Sequence, residues 1–302
     1  MKTKSPASRA QIFILLLPGL LIFGFFTVYP IIKLFVMSFF KWDLSSMMNQ
    51  NFIGLQNYRD VLSDETFRTA FTNTLVYTLL TVPAQMVLGL LAALFINSIP
   101  RFKVSFRVMY YLPVITSWVI ASLIFRYVFN TEGLLNYFLT QISHISSVNI
   151  RWLDTRWTAM SVAMILGSWK GVGWNMVVFL AALQTVPTEL YEVASIDGAG
   201  SLKKFFNVTL PSIKGTVLFA LIMLTIGGFN VFTSIKMITN GEPAHQTDTI
   251  LTWMYYKAFS TGEFGYSAAL SFIVAITLAF LAMLQFRFMK EKDHAGKGGP
   301  RK

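Results

Sequence analysis

The chain has 302 residues, of which 54% are hydrophobic and only 13% charged, and its mean hydropathy is +0.56. Soluble proteins carry charge on roughly 25% of their residues, so this composition indicates a polytopic membrane protein. The chain contains no cysteine, which excludes disulfides, cysteine-ligated zinc and thiol catalysis. Its formal net charge of +11 is compatible with nucleic acid or with a membrane surface until the positions of the charges are considered.

Long apolar runs determine the predicted fold. About 20 apolar residues span the ~30 Å hydrocarbon core of a bilayer. We predict an all-α membrane protein with six transmembrane helices, at about 11–40, 70–98, 105–129, 157–185, 212–238 and 266–289. The first run is too long for a signal peptide and has no small-residue cleavage site, so we expect it to be retained. One membrane domain, 11–289, would lie between an N-terminal segment, 1–10, and a basic tail, 290–302.

The basic residues are divided unevenly between the connections. They concentrate in the N-terminal segment, the second and fourth connections and the tail, whereas the other connections hold most of the acids. Because Lys and Arg favour the cytoplasmic side of a membrane, both termini are predicted to be cytoplasmic. The positive charge is therefore explained by membrane topology, and no nucleic-acid partner is expected.

The sequence offers little for ion coupling or catalysis. Every Asp and Glu lies in a connection or in the tail, which disfavours a proton- or sodium-coupled carrier. No G-x-x-x-x-G-K-[ST] phosphate loop is present, and the glycine segments at Gly171 and Gly198 lack the third glycine of a dinucleotide fingerprint. His144, His245 and His294 lie in two loops and the tail. We therefore expect no enzymatic activity, metal or cofactor in this chain.

One polar stretch, LYEVASIDGAGSLKKFFNVTLP, lies between the fourth and fifth apolar runs. A short helix is predicted to begin with Thr188 as its N-cap, with Glu189 and Glu192 in its first turn, where acids favour the helix dipole. By its residues alone, the stretch is either a docking element for a partner or a capped connection between spans.

A glycine turn is predicted inside this stretch. Gly198 and Gly200 would end the first helix, because glycine adopts the left-handed conformation easily. Ser201 is predicted to cap a second helix, and Pro211 suits the first turn of the fifth span.

The same stretch resembles the EAA loop of bacterial ATP-binding-cassette (ABC) importer permeases. That pattern is Glu-Ala-Ala, a glycine a few residues later and a Leu-Pro at the next span. Val193 departs from it by replacing the middle alanine, which adds two methyl groups to a packing face. The matching residues are Glu192, Ala194, Asp197, Gly198, Leu210 and Pro211.

Further segments are similar to the carbohydrate branch of this family, the maltose and glycerol-3-phosphate type of inner-membrane subunit. They are ALQTVPTELYEVASIDGA, LLLPGLLIFGFFTVYPI, FIGLQNY and TNGEP, and they are spread over most of the chain. Together they are much more specific than any one of them.

The resemblance implies a permease subunit that forms half of the pathway for a sugar or oligosaccharide across the bacterial inner membrane. Its implied partners are a second homologous permease, an extracytoplasmic binding protein, and cytoplasmic ATPase subunits, expected in two copies, that use ATP and Mg. The loop at 187–211 would dock in a cleft of the ATPase. A permease for a non-sugar solute remains an alternative. An unrelated channel or secondary carrier is a further, less favoured alternative.

The segment GSWKGVGWNM places Lys170 near the middle of the fourth span. A lysine there costs ~2.5–3.5 kcal/mol on insertion scales, so it should face a cavity or a partner. It could contact substrate or order the structure, and both roles stay open. Gly167 and Gly171 form a small-xxx-small pair, which predicts close helix packing.

The resemblance also places substrate contacts on the fourth and fifth spans. Asn175 and Asn230 are chemically suited to hydrogen-bond a sugar, and aromatic rings can stack on its faces. The alternative is that the glycines serve packing and the aromatic residues belong to the core. The contact residues implied by the family pattern are Gly173, Trp174, Met176, Gly227, Gly228 and Val231.

Overall fold

The computed structural model describes residues 9–43, 51–142 and 149–289. The predicted N-terminal segment, 1–10, lies mostly outside the described residues, and the predicted tail, 290–302, lies wholly outside them. The described residues fall into two compact units. The smaller unit comprises the chain up to Asp64 and Met254–Ile273, and the larger unit comprises Glu65–Trp253 and the chain from Val274.

The predicted all-α architecture is confirmed. The structure also contains two short antiparallel strands that were not predicted, β1 (Phe40–Lys41) and β2 (Asn51–Phe52). The first helices are α1 (Arg9–Phe23), a π-helical segment (Gly24–Val28), α2 (Tyr29–Met37), α3 (Gln56–Ser63), α4 (Glu65–Ser98), α5 (Lys103–Ile115), α6 (Trp118–Val128) and α7 (Leu134–Tyr137), which a second π-helical segment (Phe138–Ile142) extends. The later helices are α8 (Arg156–Leu183), α9 (Thr188–Ile196), α10 (Ser201–Lys204), a third π-helical segment (Phe205–Thr209), α11 (Leu210–Ser212), α12 (Lys214–Phe229), α13 (Thr233–Ile238), α14 (Ile250–Phe259) and α15 (Phe264–Met289).

The membrane spans agree with the apolar runs, with one correction. Among the described residues, five helices are long and apolar enough to cross a membrane, or six when α5 and α6 count as one bent span. The run at 105–129 is not one straight helix, because α5 and α6 meet at 89°. Thr116 and Ser117 leave the helical conformation at this bend. The fifth span is interrupted as well, since α12 ends at Phe229 and α13 begins at Thr233.

Helices α4 and α8 form the centre of the larger unit, and glycines bring them together. A Cβ at Gly167 would overlap the Tyr77 side chain, and a Cβ at Gly171 would overlap the Gln85 amide. The close packing predicted from the small-xxx-small pair is thereby confirmed. A buried apolar cluster continues this contact towards the start of α12; its members include Ala93, Ile96, Phe179, Leu183 and Ile213.

Hydrogen bonds from a few side chains hold the smaller unit together. The Asn57 amide donates to the carbonyls of Ser38 and Phe40 at 2.8 and 2.9 Å, which fixes α3 to the chain around β1. The Tyr266 hydroxyl donates to the Asp64 carboxylate at 2.6 Å. This last bond joins the end of α3 to α15, which is far from it in sequence.

Candidate functional site

A cavity of about 450 Å³ lies beside α8 in the larger unit. Its volume is within the ~300–1,000 Å³ that is usual for small-molecule sites. Helices α4, α5, α6, α8, α12 and α13 all contribute to its wall. The residues that line it are Tyr77, Thr81, Gln85, Val114, Trp118, Gly167, Lys170, Gly171, Trp174, Leu224, Gly227, Gly228, Asn230, Val231, Phe232, Thr233 and Ser234.

Six of the nine residues predicted for the substrate path line this cavity. They are Lys170, Trp174, Gly227, Gly228, Asn230 and Val231. The structure places the other three, Gly173, Asn175 and Met176, on the packed side of α8. A Cβ at Gly173 would overlap the Tyr110 carbonyl, Asn175 packs against Gly89, and Met176 belongs to the buried apolar cluster.

Helical geometry explains this division. Gly167, Lys170, Gly171 and Trp174 are spaced i, i+3, i+4 and i+7, so they share one face of α8, and all four line the cavity. Positions 173, 175 and 176 lie away from that face. Matching the family pattern position by position does not separate the two faces of the helix.

Lys170 is buried and fully hydrogen-bonded, with only 3% of its surface exposed. Its Nζ donates to the carbonyls of Pro113 and Thr116, both at 2.7 Å, and to Thr116 Oγ1 at 3.1 Å. The ammonium also lies 4.8 Å from the centre of the Trp118 ring. A lysine has three N–H donors, so this arrangement uses all of them at the break between α5 and α6.

Both interrupted spans meet the cavity at their breaks. Val114 and Trp118 flank the bend between α5 and α6, and Asn230 and Val231 lie between α12 and α13; all four line the cavity. Non-helical backbone at membrane depth is tolerated where it is buried in protein or lines a cavity. Discontinuous helices of this kind commonly build transporter binding sites.

The sequence reasoning missed the contributions of α4 and of the bend. Tyr77, Thr81 and Gln85 come from the second span, and Val114 and Trp118 flank the break in the third. A glutamine near the middle of an apolar run was a usable signal, because a polar side chain there needs a partner or a cavity.

The polar stretch after α8 forms the predicted helix, turn and second helix. Helix α9 ends with Gly198 at φ +72°, as the sequence predicted. Ala199 N donates to Ala194 O at 2.8 Å, and Gly198 N donates to Ser195 O at 3.0 Å. This pair of bonds is a Schellman motif, which satisfies carbonyls at the end of the helix.

Several details of that stretch differ from the prediction. Thr188 is the first helical residue and Pro187 occupies the N-cap position, without a side-chain cap. Glu192 consequently lies beyond the first turn. Gly200, at φ −69°, is the N-cap of α10, so Ser201 begins that helix instead of capping it. Pro211 lies in α11, just before the fifth span.

The residues predicted to couple to an ATPase lie together on this stretch. Glu192, Asp197, Gly198 and Pro211 are exposed, whereas Ala194 and Leu210 are half-buried. The Tyr191 hydroxyl and Thr209 Oγ1 lie 3.0 Å apart and join α9 to the segment that leads into the fifth span.

Residues 63–290 match the family model described as "Binding-protein-dependent transport system inner membrane component". The chain belongs to this family. The predicted identity as an ABC importer permease is confirmed, and these permeases are inner-membrane components.

Two relatives are named as sugar permeases. The arabinooligosaccharides transport system permease protein AraP of Bacillus subtilis (strain 168) is 34% identical over 93% of this chain and 89% of its own length. The lactose transport system permease protein LacF of Rhizobium radiobacter is 31% identical over 91% of this chain and 92% of its own length.

Among solved structures, a bacterial alginate ABC transporter in complex with an alginate pentasaccharide-bound periplasmic protein contains a similar chain. It has a TM-score of 0.79 and 24% sequence identity, and the match covers 92% of the permease and 93% of that chain. At this identity the likeness shows the fold.

In the permease, a network behind the cavity fixes the loop that precedes α14. Asn73 Nδ2 donates to the carbonyls of Gln246 and Asp248 at 2.8 and 2.7 Å, and Arg156 Nε donates to Asn73 Oδ1 at 2.9 Å. Thr249 Oγ1 donates to the Val231 carbonyl at 2.9 Å. The loop is therefore tied both to α4 and to the interrupted fifth span at the cavity.

Proposed function

We propose that the permease forms half of the translocation pathway for a sugar or oligosaccharide in a bacterial ABC importer. The observation that carries this proposal is its similarity, over about nine-tenths of its length, to permeases named for arabinooligosaccharides and lactose. The cavity beside α8 is the candidate segment of that pathway.

The chemistry of the cavity suits a sugar. Trp118 and Trp174 offer apolar rings that can stack on sugar faces, and Gln85, Asn230 and Thr233 offer amide and hydroxyl groups. Lys170 is the charged residue among the described residues of the lining, and the carbonyls of Pro113 and Thr116 hold its ammonium. We assign Lys170 to the support of the bend between α5 and α6 and not to substrate contact.

The stretch from Thr188 to Pro211 is the proposed docking element for a cytoplasmic ATPase. Leu190, Val193 and Ile196 of α9 are exposed, Ile196 by 86% of its surface. Exposed apolar groups on a polar connection commonly mark a site of contact with another protein. The Schellman turn at Gly198 sets the angle between α9 and α10 that the ATPase would recognise.

The remaining subunits follow from this assignment. A second homologous permease would supply the other half of the pathway, and two ATPase subunits would bind and hydrolyse ATP with Mg. An extracytoplasmic binding protein would deliver the sugar, and this chain would need no cofactor of its own. Both termini would be cytoplasmic, and the exposed apolar side chains of α4, such as Leu79 and Leu80, would contact lipid or the second permease.

Uptake by the reconstituted importer tests the function. Proteoliposomes that contain the permease with its copurified subunits are given the binding protein, internal ATP and tritiated arabinobiose, lactose or glutamine. We expect ATP-dependent accumulation of a sugar that stops when the binding protein is left out. Accumulation of glutamine and of no sugar would favour the importer of a non-sugar solute, and accumulation without ATP would favour a channel or carrier.

A further inference from the structure

Gln85 lies near the middle of the membrane-spanning helix α4 and lines the cavity, with 9% of its surface exposed. Polar atoms of this amide reach the surface of the cavity. A polar side chain at membrane depth is tolerated when it faces a cavity or a partner. Gln85 is therefore placed to hydrogen-bond whatever enters the cavity.

Within the described part of the chain, the Gln85 amide makes no hydrogen bond, in contrast to its polar neighbours on α4. Thr78 Oγ1 donates to the Thr74 carbonyl at 2.8 Å, and Thr81 Oγ1 donates to the Tyr77 carbonyl at 2.7 Å. These threonines satisfy themselves on their own helix. The Gln85 amide thus keeps two N–H donors and a carbonyl acceptor available.

Gly171 provides the space in which this amide lies. A Cβ at position 171 would overlap Oε1, Cδ and Cγ of Gln85, so the side chain lies flat on α8 where the glycine leaves room. Both residues line the cavity. The contact holds the amide at the wall of the cavity. Lys170, which precedes Gly171 in sequence, lies on the same face of α8.

The charge of the lining limits the class of ligand. Lys170 commits all three of its N–H donors to Pro113 and Thr116, so the polar groups left for a ligand on the described lining are uncharged amides, hydroxyls and backbone groups. An amide can donate to one hydroxyl and accept from its neighbour, which suits the vicinal hydroxyls of a sugar. A carboxylate or phosphate would find no free cation on this wall.

We propose that Gln85 is a specificity-determining residue of the pathway, where its amide hydrogen-bonds the hydroxyls of an uncharged sugar unit. This inference rests on the proposed function, because it requires that a sugar passes through the cavity. It adds a contact on the second span and predicts that the sugar unit beside this wall is uncharged.

The test compares the sugar that the wild-type importer takes up best with each of its monodeoxy derivatives. The Gln85→Met variant keeps the size of the side chain and removes its hydrogen bonds. Gln141→Met makes the same change at an exposed glutamine away from the cavity and serves as the matched control. Initial uptake rates at low sugar concentration are measured in proteoliposomes.

We expect wild type and Gln141→Met to discriminate against at least one monodeoxy sugar by about three- to tenfold, as one hydrogen bond allows. Gln85→Met should transport the parent sugar more slowly by a similar factor and should lose that discrimination. Gln85→Glu keeps the shape and removes both amide donors, so its relative uptake rates across the deoxy series should also change. This variant tests the inference if Gln85→Met does not assemble.

Wild-type discrimination retained in the assembled Gln85 variants would overturn the inference and leave the proposed function intact. Absence of sugar uptake by the wild type itself would instead contradict the proposed function. A wild-type preference for uronates over neutral sugars would also count against the inference, since it would require a cation that this wall does not offer.

Discussion

A lysine inside a membrane span is tolerated when acceptors surround its ammonium, and the bend between α5 and α6 provides them. The carbonyls of Pro113 and Thr116 lie where the helix stops, so they lack the partners that a continuous helix would give them. Lys170 donates to both. The lysine and the bend therefore stabilise each other, together with the hydrogen bond from Thr116 Oγ1 to Pro113 O at 2.7 Å.

Replacement of Lys170 by Met tests this mutual support. The change keeps most of the stem and removes the lysine donor from the Thr116 carbonyl, at about 1–3 kcal/mol, whereas Pro113 O still accepts from Thr116 Oγ1. We expect a lower midpoint of thermal unfolding and a similar loss, of roughly tenfold or more, in the uptake of neutral and acidic sugars. Lys203→Met, at an exposed lysine, should keep the wild-type midpoint. Normal stability with selective loss of an acidic substrate would instead assign Lys170 to substrate binding.

Two asparagines permit a matched test of the cavity wall. Asn230 is exposed at the cavity, whereas Asn175 is completely buried against Gly89. The chain has no native cysteine, so a single introduced thiol is the one site in this subunit for a thiol reagent. A small, charged methanethiosulfonate should label Asn230→Cys at least tenfold faster than Asn175→Cys, as followed by mass spectrometry of the subunit. Equal labelling would contradict the assigned faces of α8 and the break after α12.

The residues of the candidate site could be predicted only in part. The family pattern identified the right two spans, and Lys170, Trp174 and Asn230 do line the cavity. It also included Gly173 and Met176, because matching a linear motif ignores the helical period, and Asn175, chosen for its chemistry, lies on the packed side as well. Gln85 was missed because that residue belongs to no matched motif, although its polarity inside an apolar run distinguished it.

At the element scale, hydropathy identified the spans and could not identify their interruptions. The run at 105–129 stays apolar through Thr116 and Ser117, so its composition is that of one span although its backbone bends by 89°. Lys170 of another helix donates to the carbonyls at this bend, and Thr116 Oγ1 donates to Pro113 O within it. Such contacts cannot be seen in the composition of a single segment.

The polar stretch after α8 was predictable because its conformation depends on local residue types. The end of α9 needs a residue in the left-handed conformation. Glycine adopts it at little cost because it has no Cβ, and the structure has Gly198 there at φ +72°. The cap positions were wrong by one residue at Thr188 and at Ser201, since neither side chain makes a capping hydrogen bond. Such boundary errors are usual for helix ends.

Gly198 and Gly200 give a matched pair for the coupling role. A Cβ at either position meets nothing within 4 Å, but only Gly198 has a positive φ. Gly198→Val should therefore strain the turn by about 1–2 kcal/mol or more and abolish uptake while the permease still inserts. Gly200→Val should keep most of the activity, because φ −69° suits any residue. ATPase copurification and uptake are measured together; normal transport by Gly198→Val would contradict the role of the turn.

The permease alone presents two surfaces that would be completed by other subunits. The described chain offers one wall of a cavity and, on a separate polar stretch, exposed apolar groups such as Val193 and Ile196. Neither feature has a complete partner within the larger unit. Assembly with a second permease and an ATPase would complete both, which is why activity must be measured on the assembled importer.

Reporter fusions can test the orientation of the chain in the membrane. An even number of spans places both termini on one side, and the excess of Lys and Arg at the termini and around the stretch after α8 predicts that this side is the cytoplasm. Lys302 and Ser147 lie outside the described residues, so fusions at these positions interrupt no described helix.

Green fluorescent protein fused after Lys302 should fluoresce, and alkaline phosphatase fused at Ser147 should be active. The reciprocal fusions should both be silent, since each reporter works on one side of the membrane. Active phosphatase after Lys302 would place the C-terminus outside the cytoplasm and contradict the predicted orientation of the six spans.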